Sequence, residues 1–178
     1  MGSDFYPAYN VREGKKQRCW AHLLRATGKL ENKEGRTLHR ELKRIWDEAC
    51  LWVAEERQRA PPEEWEERAR GWEEEVVELA RGEWTDPGCR RIAKRLIKHA
   101  GDLFTFVICP GVEATNNAAE RVLRPYVVKR KISGGHRSWA GARRHEILMS
   151  VLATCRLRRE DLLATVTGAL EAAVASAR

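Results

Sequence analysis

Glu120 stands apart in this sequence by the residues around it. It follows Thr115-Asn116-Asn117 and precedes a run of cations: Arg124, Lys129, Arg130, Lys131 and Arg137, set around Gly134-Gly135 and His136. A carboxylate is a hard oxygen donor of the kind that Mg²⁺ and Mn²⁺ prefer. Cations beside it suit a phosphodiester substrate, since each Lys or Arg that meets a phosphate releases condensed counterions. Metal-assisted work on phosphates is therefore one chemistry for the stretch. The other reading is structural. Asn117-x-x-Glu120 has the spacing of a capping box, in which the acid only reaches back to the cap N–H, and the cations would then be solvated surface.

The elements that position these groups can be read from spacing. Asn and Thr are preferred helix caps, so a helix is expected to start at Thr115-Asn116-Asn117. Ala119, Val122, Leu123 and Tyr126 recur at the spacing of a buried helical stripe. Glu120 lies at the margin of that stripe, in line with Asn116 and Arg124. Pro125 is expected to end or kink the helix, with Lys129–Arg137 a basic loop beyond it. Tyr126–Ile132 and Leu103–Ile108 are the two segments that could be short strands.

The rest of the chain reads as helices. Gln17–Arg25 is expected to be helical, with Cys19 and His22 on one face. That pair is at most half a zinc site, because no second Cys/His pair follows at ligand spacing. A buried thiol and a hydrogen-bonded histidine are the competing reading. Leu38, Leu42, Ile45, Trp46, Ala49 and Val53 mark a long helix that Pro61-Pro62 ends. Trp65, Trp72, Val76 and Leu79 mark a second. Asp86-Pro87 caps a third, lined by Cys89, Ile92, Ala93, Leu96, Ile97 and Ala100. The tryptophans keep helical period and are expected in the core. Ser138 caps a helix with Ile147, Leu148, Val151, Leu152 and Cys155 inward, and a last helix from about Glu160 turns Leu162, Leu163, Val166, Leu170 and Val174 inward.

Composition narrows the class. Of 178 residues, 43% are apolar and 33% charged, which favours a globular chain over a disordered one. The net charge of +7 favours a polyanionic partner. Its distribution is uneven: Glu55–Glu83 holds 11 acids against 5 bases, whereas Asn116–Arg159 holds 11 bases against 2 acids. Any nucleic-acid surface is thus C-terminal. Five scattered cysteines suggest no disulfide framework, so a reducing cytoplasm is expected, with no membrane partner. Asp4, by itself, reads as a turn or helix cap.

Several blocks taken together resemble a known family. SDFYPAY from Ser3, QRCWAHLLR from Gln17, TNNAAERVLRPYVVKRKISGG from Thr115 and ILMSVLATCRL from Ile147 look like DDE-type transposases of the insertion-sequence-sixty-six family. The resemblance implies a ribonuclease H-like α/β core with a helical insertion, here incomplete and mainly α. It divides the chain into a core remnant over 1–33, a helical insertion over 34–101, and a third-acid helix, basic loop and helical pair over 102–178. It also implies three carboxylates that hold two Mg²⁺ or Mn²⁺ ions for DNA strand cleavage and joining. Asp4 falls in the second-acid block and Glu120 matches the third acid. Cys19 and His22 match an accessory Cys-x-x-His element, Asn116 and Asn117 precede the third acid, and Arg124, Lys129, Arg130, Lys131 and Arg137 would meet DNA. The family's first Asp lies on a strand upstream of the second acid, where this sequence has no residues. The expectation is a truncated transposase, inactive alone, nucleoid-associated, and paired with itself or with a full-length transposase. The alternative is a non-catalytic basic helical protein that binds nucleic acid or such a partner.

Overall fold

The computed structural model describes residues 2–3, 5 and 13–176. It is mainly helical and forms two compact units, residues 1–117 and 118–178.

The first unit opens with two short strands, β1 (Gly2–Ser3) and β2 (Gln17–Arg18), paired in parallel with Gly2 opposite Gln17 and Ser3 opposite Arg18. Helix α1 (Trp20–Thr27) follows, then α2 (Lys33–Glu55), α3 (Pro62–Arg81) and α4 (Pro87–His99). A 3₁₀ turn at Ala100–Asp102 and the short helix α5 (Thr105–Ile108) close the unit. Gln17 and Arg18 were expected to be helical and are instead extended and buried. Gln17 is fixed there by its own amide, which donates to the Leu103 carbonyl at 2.8 Å and accepts from the Phe106 N–H at 2.8 Å. A side chain satisfied on both ends by backbone overrides a helical pattern. The Leu103–Ile108 segment resolves as the end of the 3₁₀ turn and α5.

The helices of this unit form where the sequence marks them. Asn32 caps α2 by accepting from the Gly35 N–H at 2.6 Å, and Asp86 caps α4 by accepting from the Cys89 N–H at 2.8 Å. Leu38, Leu42, Ile45, Ala49 and Trp52 are buried along one face of α2, and Cys89, Ile92, Ala93 and Leu96 along one face of α4. Trp20 stacks on Trp46, Trp72 stacks on Phe104, and Trp52 meets Trp72 edge-on. These rings are core, and the Trp20 indole N–H is satisfied by the Leu103 carbonyl at 2.8 Å. Gly35 is required by close approach: a Cβ there would sit 2.2 Å from the Leu30 Cβ.

The second unit holds most of α6 (Asn117–Ile132), with α7 (Trp139–Arg158) and α8 (Leu162–Ser176). Helix α6 runs through Pro125, so the proline does not end it, and Tyr126–Ile132 is helix and not strand. Proline removes one backbone hydrogen bond. The segment remains helical where Tyr126 donates its hydroxyl to the Met149 carbonyl of α7 at 3.0 Å. Ser138 caps α7 by accepting from the Gly141 N–H, and Asp161 bonds the Ala164 N–H at the start of α8.

Burial in this unit departs from the stripe pattern. Within α6 no residue is buried, and Val122 and Leu123 are each 56% exposed. Ile147 and Leu148 of α7, and Leu163, Leu170 and Val174 of α8, are exposed as well. Val151, Leu152, Leu162 and Val166 are half-buried, and Cys155 is buried. The periodicity is present in the sequence, but three helices alone cannot cover every apolar face it creates.

Candidate functional site

The approach to α6 is tied to the start of α1. The Trp20 N–H donates to the Ala114 carbonyl at 3.1 Å, and the Asn116 N–H donates to the Cys19 Sγ at 3.1 Å. Cys19 is fully buried, so its sulfur serves as a hydrogen-bond acceptor for the residue before the helix. That contact matches the buried-thiol reading of Cys19. His22 is half-buried on the same helix.

Helix α6 then opens at Asn117 and not one residue earlier. Glu120 falls at the fourth helical residue. Glu120 is half-buried in the first turn, where the positive end of the helix dipole favours a carboxylate.

The cations occupy the other end. Lys129, Arg130 and Lys131 form the last turn of α6, so the expected basic loop is shorter than the sequence suggested and its first three cations are helical. Two glycines stop the helix. The Gly135 N–H reaches back to the Arg130 carbonyl at 2.9 Å, with Gly134 at φ 65° and Gly135 at φ 95°. This is a Schellman stop, which needs a left-handed residue just past the helix and fixes the final turn. Lysine and arginine there complement the negative end of the dipole. Arg124, Lys129, Arg130, Lys131 and Arg137 are all exposed, and none forms an ion pair among the described residues. The acidic helix α3 is different, since Glu75 binds Arg44 and Glu64 faces Arg68.

Between α6 and α7 lies an open apolar cleft of about 360 Å³, lined by Val122, Pro125, Tyr126 and Leu152 with Arg121 and Arg156 at its border. It holds no acid.

A buried ionic group near β2 escaped the sequence reading. Arg18 is 1% exposed and donates from Nε to the Asp102 carboxylate at 3.2 Å. His99 Nδ1 stands 3.5 Å from the same oxygen. Burial and the neighbouring Arg18 charge lower the His99 pKa, and burial raises that of Glu73. The partners are 84 positions apart, and nothing local in the sequence pairs them.

A family model described as Transposase IS66 family matches residues 1–144. The chain belongs to the IS66 transposase family. The match spans Asp4, the Cys19–His22 element, Glu120 and the cations through Arg137, and ends in the first turns of α7. No curated protein and no solved structure matches the chain. Membership brings DNA as the partner class and divalent metal as the cofactor class of DDE transposases. Glu120 fits such an ion by its donor chemistry, because Mg²⁺ and Mn²⁺ take carboxylate oxygens. Asp4 lies outside the described residues. Among the described residues, no three His, Cys, Asp or Glu side chains converge as a metal site, and no helix is long and apolar enough to cross a membrane.

Proposed function

We propose that this IS66-family chain carries the second and third acids, Asp4 and Glu120, of a DDE site for DNA strand cleavage and transfer. The family match over residues 1–144 carries the reading, because it includes both acids and the basic segment in one alignment. On this reading residues 1–33 belong to a ribonuclease H-like core, 34–101 are a helical insertion, and 102–178 bring the third acid and the basic segment.

Bound there, a pair of Mg²⁺ or Mn²⁺ ions would activate the attacking oxygen and stabilise the leaving one. Asp4 and Glu120 would supply hard oxygen donors from segments 116 positions apart. Asn116 and Asn117 set the start of the helix that carries Glu120. Cys19 holds the Asn116 N–H, and His22 lies on the helix that follows, α1. Arg124, Lys129, Arg130, Lys131 and Arg137 hold the DNA backbone, positioning it without reading sequence.

On this reading Asp4 and Glu120 are both required for joining, because each supplies an oxygen donor to the ions. Exposed Val122, Leu123, Ile147 and Leu148 favour association with a second copy or with a full-length transposase, which would also cover apolar surface. The test is a strand-transfer assay with the purified chain, transposon-end DNA and Mn²⁺, with and without full-length transposase. Metal-dependent joining that requires the chain and disappears in Glu120→Gln and in Asp4→Asn supports the reading. Joining that persists in either variant would overturn it.

A further inference from the structure

Two histidines outside the acidic motif meet in the second unit. His136 sits on the segment joining α6 to α7, and His145 lies one turn and a half into α7. Their ring centres are 4.8 Å apart and the planes are inclined at 43°. Tyr126 of α6 meets His145 edge-on at 6.4 Å, and its hydroxyl is fixed on the Met149 carbonyl.

Neither ordinary aromatic packing explains this pair. Offset stacking needs nearly parallel rings and a T-shaped contact nearly perpendicular ones; 43° is neither. Their spacing is compatible with a shared metal ion. With metal–nitrogen bonds of about 2.0–2.1 Å, each ring centre lies roughly 3.2 Å from the ion, and ligand angles from about 90° to about 110° put the centres roughly 4.5–5.2 Å apart. The observed separation lies inside that range. His145 supplies a second, independent sign: its Nε2 is buried and has no hydrogen-bond partner. A buried polar nitrogen left without a partner is costly, and coordination would satisfy it. His136 is exposed, so an ion can enter from solvent.

We infer that His136 and His145 form a two-imidazole seat for a first-row transition ion of the Zn²⁺ class. This seat is separate from the carboxylate chemistry proposed at Glu120. Imidazole nitrogens select Zn²⁺, Ni²⁺ and Cu²⁺ over Mg²⁺ or Ca²⁺, which prefer oxygen. Lys129, Arg130, Lys131 and Arg137 from the α6 end and Arg143 and Arg144 from α7 crowd the same segments with positive charge. An ion held only by electrostatics would be repelled there, whereas one held by directional nitrogen bonds survives. Two protein ligands leave further positions for water, so an affinity on the order of micromolar is expected.

The experiment is equilibrium dialysis of the full chain against micromolar Zn²⁺ at pH 7.5, comparing the unaltered chain with His136→Gln and His145→Gln. Five free cysteines set a common background in all three proteins. The unaltered chain should hold one equivalent more than either variant. Because His136 is exposed, His136→Gln leaves the helices intact, as circular dichroism will verify. Equal stoichiometry in the unaltered chain and in His136→Gln would overturn the assignment.

Discussion

Replacing Lys129, Arg130 and Lys131 together by Ala should weaken DNA binding by a predictable amount. The sequence suggests three phosphate contacts, and hence a loss of about 2.7 from the slope of log K against log salt, at about 0.9 for each phosphate neutralised. The structure lowers that figure. The three residues occupy the last turn of a helix, where successive side chains diverge by about 100°. Lys129 and Lys131 therefore point roughly 200° apart, and a single duplex face meets two of the three. The expected change in slope is about 1.8. Between 50 and 200 mM salt, that means the unaltered chain loses about 12-fold more affinity than the variant. The assay is fluorescence anisotropy with labelled duplexes of two unrelated sequences over this salt range. Both duplexes should respond alike, because phosphate contacts carry no sequence information. A slope that does not change would place the DNA surface elsewhere, with Arg143, Arg144 and Arg156 next in line. A change confined to one duplex would contradict the assignment to phosphate.

Other expectations follow from the first unit. Gly35→Ala should destabilise it by about 1–3 kcal/mol in urea unfolding, because the new methyl meets the Leu30 Cβ and forces overpacking; an unchanged midpoint would mean that the Leu30 turn moves freely. Asp102→Asn removes a charged partner of the buried Arg18, and a loss of about 2 kcal/mol is expected for a charge-assisted hydrogen bond; wild-type stability would show that Arg18 does not depend on Asp102. The lowered His99 pKa predicts a pH effect. With the folded value below the unfolded one near 6.5, the unfolded state binds more protons as pH falls. Stability due to His99 is thus complete above about pH 6.5 and lost as pH drops through that value toward the folded pKa. His99→Asn should flatten the urea midpoint between pH 7 and pH 5.

Much of this was legible because it is local. Asp86 and Ser138 are caps by type and position, and the α2 and α4 stripes repeat at helical spacing. Asn32 reads as loop and caps α2 instead. The segments that were misread depend on distant partners. Gln17 and Arg18 are held extended by residues more than 80 positions away. The stripe of α6 has correct period but an exposed face, since periodicity shows which residues are apolar and not what covers them. Pro125 carries an intrinsic preference that the helix overrides. In the site, Glu120 and the cations were visible as residue types beside one another, whereas the thiol bond from Cys19 to Asn116 joins segments 97 positions apart and has no local signature.

Asp4 and Glu120 are proposed to serve the same metal. Iron can stand in for Mg²⁺ and mark its own ligands, because Fe²⁺ with ascorbate and peroxide cuts the backbone beside the site. Mass spectrometry of the full chain after brief treatment should find cuts beside residues 4 and 120 in the same sample. Both should be suppressed by excess Mg²⁺ and both lost in Glu120→Gln. Cutting beside Glu120 alone, or a cut beside Asp4 that persists in Glu120→Gln, would contradict a shared site.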